Sequence, residues 1–202
     1  MSRINVTRGY GLFEGFLAEQ RSKMANRLIL STYRKGRILD IGCGIYPFFL
    51  LNTKFSEKYG IDKVREEIYL KRFLEQKIIF INYDIEKNCM MPFDNNYFDV
   101  VTMLAVIEHL ESERVVKILR EVHRILKPFG MFIVTTPASW TDRLLRLMAR
   151  LRLVSPDEIK EHKYAYNHKS LFSILKEANF SPEKLSFGYF ELFMNIWTTA
   201  TK

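Results

Sequence analysis

The stretch Arg37-Ile38-Leu39-Asp40-Ile41-Gly42-Cys43-Gly44 limits what this chain can fold into more than any other. Ile38, Leu39 and Ile41 are apolar and β-prone, as befits a strand buried in a parallel sheet. The run ends abruptly in two glycines one residue apart. Lacking a Cβ, Gly42 and Gly44 let the backbone turn sharply and approach a ligand closely. Tyr46-Pro47 then opens a helix, with Pro holding φ near the helical value where no N–H partner is needed. Strand, glycine turn and helix N-terminus together form a platform for a nucleotide-like cofactor.

Two familiar platforms are excluded. A dinucleotide fingerprint needs a third glycine where this chain has Pro47, and the P-loop pattern of Gly-Lys-Ser/Thr is missing. Hydrophobic periodicity fills in the rest. A helix is expected from Leu12 to Tyr33 on the stripe Phe13, Phe16, Leu17, Met24, Leu28 and Ile29. Strands follow at Arg37–Ile41, Tyr59–Asp62, Ile78–Ile81, Phe98–Ala105 and Met131–Thr136. Helices are expected at Tyr46–Lys54, Val64–Glu75, from Ser112 through Leu126, at Thr141–Arg152 and at Lys169–Ala178. Lys127-Pro128-Phe129-Gly130 reads as a stop-and-turn signal. Two closing strands lie near Ser181–Phe190 and Asn195–Ala200. Alternating β and α units imply a doubly wound parallel sheet with helices on both faces, and the last pair should be antiparallel.

At 202 residues the chain suits one domain, able to bury roughly 70% of the surface its unfolded chain exposes. The reading is a single domain over 1–202, with residues 1–35 as an N-terminal helical cap and 137–168 as a lid on the substrate side. No apolar run approaches the ~20 residues of a membrane span, and the first residues lack a secretion signal's apolar core. Cys43 and Cys89 are the only cysteines, so no disulfide framework is implied and the cytoplasm is the default location. The net charge of +8 admits nucleic acid, an anionic membrane or an acidic substrate as partner, or simply solvated basic faces.

In parallel sheets, ligands sit at the carboxyl ends of the strands. Asp40 closes the first strand, Asp62 the second and Asp84 the third. A carboxylate at Asp62 suits two ribose hydroxyls, one at Asp84 suits an adenine amino group, and Ile85 can cover the ring. Three acids ending three successive strands point to an adenosyl-cofactor pocket.

Asp40-x-Gly42-x-Gly44 resembles the first motif of class I S-adenosylmethionine-dependent methyltransferases. The chain departs from it at Tyr46, where many members carry a third glycine, which implies a reshaped methionine end. Asp94-x-x-Tyr97-Phe98-Asp99-Val100-Val101, Ile107-Glu108-His109-Leu110 and Leu119–Gly130 are similar to later segments of the small-molecule and quinone-biosynthesis branch, with Phe129 replacing a glycine. The resemblance implies a Rossmann-like, seven-stranded sheet in the order 3-2-1-4-5-7-6 with strand 7 antiparallel. It implies S-adenosyl-L-methionine as cofactor and S-adenosyl-L-homocysteine as product. It places Asp40, Gly42, Cys43, Gly44, Asp62, Lys63, Asp84, Ile85 and Leu104 at the cofactor. The implied reaction is methyl transfer to O or N, less readily C, of a small-molecule acceptor from a lipid or glycan pathway. An RNA methyltransferase, favoured by charge alone, and a non-catalytic cofactor-binding partner are the alternatives.

Such a donor is already activated, so the protein mainly aligns the acceptor and removes a proton. Of four histidines, His123 lies mid-helix as a structural or surface residue, and His168 precedes a helix that it caps or from which it faces solvent. His109, just after strand four, and His162, in the lid, are the candidate bases, with Glu108 orienting or charging the imidazole. Glu108, His109 and His162 could also hold a divalent ion. Ala105 stands where metal-binding relatives carry a further Glu, so no metal is assigned. Finally, Asp142–Arg152 sets Leu144, Leu145, Leu147, Met148 and Leu151 against Arg143, Arg146 and Arg150. Such a stretch is either a core-packed helix or a lid that touches anionic membrane.

Overall fold

The computed structural model describes residues 14–63, 73–88, 90–141, 148, 150, 151, 153, 154 and 163–202. Its centre is one seven-stranded sheet built from β1 (Arg37–Ile41), β2 (Glu57–Asp62), β3 (Ile78–Asn82), β4 (Phe98–Leu104), β5 (Leu126–Pro137), β6 (Leu185–Phe190) and β7 (Asn195–Thr201). The spatial order is β3-β2-β1-β4-β5-β7-β6. The first five strands run parallel, and β7 pairs antiparallel with both β5 and β6. This is the order expected from the resemblance.

Side-chain alternation along the strands divides the interior into two cores. On one face, Ile38, Ile78, Val100 and Ile133 meet Ala25 and Ile29, on and just after α1 (Glu14–Leu28), and Phe49 and Leu50 of α2 (Phe48–Leu51). On the other, Leu39, Val101, Phe132 and Ala200 meet α3 (Ser112–Ile125) and α4 (His168–Glu177). α3 shows which effect wins. Val115, Ile118, Val122 and Ile125 are β-branched, each costing about half a kcal/mol of helix propensity. All four are buried at helical spacing with Leu119, and burying each such side chain contributes ~1.5–3 kcal/mol. α4 starts at a reciprocal cap: Asn167 accepts from the Ser170 N–H, while Ser170 Oγ accepts from the Asn167 N–H.

Three local expectations change. The first helix is described as α1, ending at Leu28, and residues 31–35 form a 3-10 turn. The helix after the glycine turn shrinks to Phe48–Leu51. Pro47 stands just before it, and the Asn52 side chain donates to the Phe48 carbonyl at 2.7 Å, closing the helix after one turn. Lys127–Gly130 does not separate α3 from β5. It is an outward bulge within β5: Phe98 pairs with Leu126 and Val100 with Met131. The bulge is held by Phe129 N–H donating to Lys202 O and Lys202 N–H donating to Gly130 O. The stretches expected as helices at 64–75 and 141–152 lie mostly outside the described residues.

Candidate functional site

Parallel strands bring the carboxyl ends of β1 to β5 to one rim. Gly42 and Gly44 both take left-handed φ values, +73° and +71°. A Cβ on Gly42 would lie 2.4 Å from Val106 Cγ2, so this glycine is needed for packing as well as for its dihedral. A Cβ on Gly44 would meet nothing nearer than the Tyr46 backbone at 3.9 Å, an ordinary van der Waals contact, so the site has room for it. The turn is pinned to β2: Gly42 N–H donates to Ile61 O at 2.8 Å, and Gly44 N–H donates to Asp62 Oδ2 at 2.8 Å.

Asp40 is 4% exposed and accepts from Thr102 Oγ1 at 2.7 Å. Burial pushes its carboxyl up to about 7, partly offset by the Thr102 hydroxyl and reinforced by Asp62. Cys43 is buried, with its Sγ 3.7 Å from the Gly44 carbonyl. Beyond β2, Lys63 is exposed and lies 3.7 Å from Glu86. After β3, Asp84 Oδ1 accepts the backbone N–H groups of Glu86 and Lys87, which fixes the turn that buries Ile85. Leu104 ends β4, half-buried against the α1 core. Ala105 then reverses the chain at φ +55° and donates its N–H to Thr135 O.

The next turn, Ile107–His109, carries the second group of candidates. Glu108 is 1% exposed, and its Oε2 has no hydrogen-bond partner among the described residues. Burial pushes its carboxyl up, opposed by His109, by backbone hydrogen bonding, by Arg21 of α1 and by the Thr136 hydroxyl. Its carbonyl accepts from the Lys163 and Tyr164 N–H groups, tying the segment before α4 to this rim. Tyr166 is also buried here. Burial, Glu108 and Tyr164 raise its phenol to about 12. His109 is half-buried beside Glu108. His162 lies outside the described residues.

Thus the fold gathers Asp40, Gly42, Cys43, Gly44, Asp62, Lys63, Asp84, Ile85 and Leu104 along adjacent strand ends, with Glu108 and His109 beside them. His123 is elsewhere, edge-on to Phe180 in the core, where burial lowers its imidazole. His168 packs at a tilt against Tyr189 at the β6 edge. Sequence reasoning missed Arg21, Thr136 and Tyr166. Thr102 did leave a signal, as one of two polar residues, with Asp99, in a strand that is apolar elsewhere. Among the described residues, no group of three or more His, Cys, Asp or Glu is placed to hold a metal ion.

The sheet order and the pinned glycine turn define a Rossmann-like protein built for an adenosyl-type cofactor. Residues 39–134 match a family model described as a methyltransferase domain. An uncharacterized protein of Methanocaldococcus jannaschii is 36% identical over 98 residues, 48% of this chain and 39% of that one. A Caenorhabditis elegans protein named sterol 4-C-methyltransferase is 29% identical over 134 residues, 60% of this chain and 38% of that one. The matches thus span about two fifths of each curated relative. A Thermotoga maritima crystal structure, described as a S-adenosylmethionine-dependent methyltransferase and possible histamine N-methyltransferase, shares the fold at a TM-score of 0.69 and 17% identity, over 93% of this chain and 90% of that one. Over residues 39–134 the chain is thus similar to the methyltransferase-domain family, and its fold is that of S-adenosylmethionine-dependent methyltransferases.

Proposed function

We propose that this chain transfers a methyl group from S-adenosylmethionine to an oxygen or nitrogen of a small, largely apolar acceptor, with Glu108 taking the released proton. The observation that carries the reading is the junction of Gly44 with Asp62. One carboxylate oxygen fixes the glycine turn, and the turn leaves beside Gly44 a cradle that a Cβ would begin to fill. The residues present therefore fit an adenosyl cofactor. Asp62 would hold the ribose, Asp84 and Ile85 the adenine, and Asp40, Cys43, Gly42 and Gly44 the methionine end, with Lys63 and Leu104 at the margins.

When bound, the cofactor supplies a methyl group already activated on a sulfonium sulfur. The chain's own task is to align the acceptor and receive its proton. Glu108 suits the second role, because it is buried with one oxygen unpartnered among the described residues and burial raises its carboxyl above the ordinary carboxylate range. His109 and His162 remain the alternative bases. Likeness to a protein named for sterol C-methylation favours one further reading, carbon as the accepting atom on a sterol-like molecule, where a base is needed equally.

The test is calorimetric titration with S-adenosylmethionine, followed by methyl-labelled turnover on phenolic, amine, hydroxy-lipid and sterol acceptors. Micromolar binding and label in an organic-soluble product are expected. Binding with no transfer to any acceptor would favour a non-catalytic partner, and label entering RNA instead would favour the nucleic-acid alternative.

A further inference from the structure

The β6–β7 connection lies at the same rim, because Asn195 at the start of β7 pairs with Pro137 at the end of β5. Glu191, Leu192 and Phe193 all take left-handed φ values, +52°, +54° and +67°. The result is a tip that carries two large apolar side chains outward, Leu192 at 87% and Phe193 at 67% exposure. Tyr189 packs edge-on against Phe193, its ring 5.7 Å away. Trp140, 57% exposed, stands on the Ser139–Thr141 turn. That turn is fastened to the tip, since the Ala138 N–H donates to Met194 O at 2.8 Å and Thr141 Oγ1 reaches the same carbonyl. The tip's one carboxylate is turned inward. Glu191 is half-buried, accepts from the Asn195 amide and feels Arg21.

An apolar patch whose one acid among the described residues is withdrawn demands an occupant. We propose that this rim docks on an anionic lipid bilayer, with Leu192, Phe193 and Trp140 entering the interfacial layer beside the acceptor entrance. This deepens the reading above, and rests on it for the position of that entrance. Charge decides between a membrane and a second copy of this chain. The protein carries a net +8, and the stretch 142–152 directly following Thr141 holds four arginines against one aspartate. Arg150 and Leu151 are both exposed there. A like-charged copy is repelled, whereas an anionic headgroup layer attracts a chain of this net charge. Tryptophan, with its apolar ring and N–H donor, suits the boundary between headgroups and acyl chains.

The experiment is flotation with vesicles of phosphatidylcholine, with and without 30% phosphatidylserine, at low and at 0.5 M salt. The full chain is compared with the double variant Leu192→Asn, Phe193→Asn. Asparagine tolerates the left-handed region, so the variant should fold, and unchanged melting and S-adenosylmethionine affinity verify this. Expected are binding to the anionic vesicles only, loss of most binding in high salt, and at least tenfold weaker binding by the double variant. A variant with Trp197→Phe leaves Trp140 as the single reporter, and its emission should shift to the blue on anionic vesicles. Absence of binding by the native chain, or equal binding by the double variant, overturns the proposal. So does a dimer in sedimentation that the double variant dissociates. Because vesicle binding is read without turnover, the docking surface can fail while the methyl-transfer reading stands, and the reverse.

Discussion

Asp62 Oδ2 accepts the Gly44 N–H at 2.8 Å, so the acid that ends β2 holds the glycine turn that ends β1. One side chain thereby shapes the cradle and, in our reading, holds the ribose. Asp62→Ala should remove both contributions and weaken S-adenosylmethionine binding at least tenfold, about 1.4 kcal/mol. Isothermal calorimetry reads this directly. Undiminished affinity would mean that the cofactor sits elsewhere.

The two glycines of the turn should respond differently to the same substitution. Both face about 1–2 kcal/mol of left-handed strain when a Cβ is added. At Gly42 that Cβ also collides with Val106, whereas at Gly44 it makes only ordinary van der Waals contact with the Tyr46 backbone. Gly42→Ala should therefore lose clearly more stability in urea unfolding. Gly44→Ala should stay nearer to the native stability yet lose cofactor affinity. If both variants bind the cofactor as the parent does, the cradle beside Gly44 is not the cofactor site.

Asp40 yields a prediction in pH. Its folded-state carboxyl is raised from 3.8 to about 7, chiefly by burial. Folding therefore favours the protonated acid, and the associated stability is present below about pH 4 and lost as pH rises through about 7. An amide cannot ionise, so Asp40→Asn avoids that loss. The ligand-free variant should melt higher than the parent at pH 8, with the gap closing toward pH 4. Calorimetric melting across this range checks it, and a gap that does not vary with pH would refute it.

Much of this architecture could be read from local pattern, and the reason is physical. Ile38, Ile41, Val100 and Val134 lie in short apolar runs whose burial is decided within a few residues. The acids at Asp40, Asp62 and Asp84 stand out because each interrupts or ends such a run. The Lys127–Gly130 signal marks a bulge inside β5 and not a turn ahead of it, because its outcome depends on Lys202 at the far end of the chain, whose backbone completes the bulge. Arg21 and Tyr166 left no local trace. One is a polar residue on a helix rich in them, the other an aromatic between surface-like neighbours. Only packing makes them neighbours of Glu108, since charge and burial near an acid arise from tertiary contact.

Glu108 supplies the most discriminating variant. Its carboxyl is raised chiefly by burial, so it is protonated and unable to accept a proton until the pH exceeds the ordinary carboxylate range. The rate with a hydroxyl or amine acceptor should accordingly climb with pH to a plateau. Glu108→Gln should lower kcat by roughly 10²–10⁴-fold and abolish that limb while leaving cofactor affinity intact. The same substitution should stabilise the protein at neutral pH and not at acid pH, because burial favours the acid form in the folded chain while the unfolded carboxyl ionises in the ordinary range. Arg21→Met separates a base from a merely buried acid. Arg21 favours the ionised form of Glu108, so its loss should move the limb to higher pH with the plateau retained. A Glu108→Gln enzyme that keeps full turnover would pass the role of base to His109 or His162.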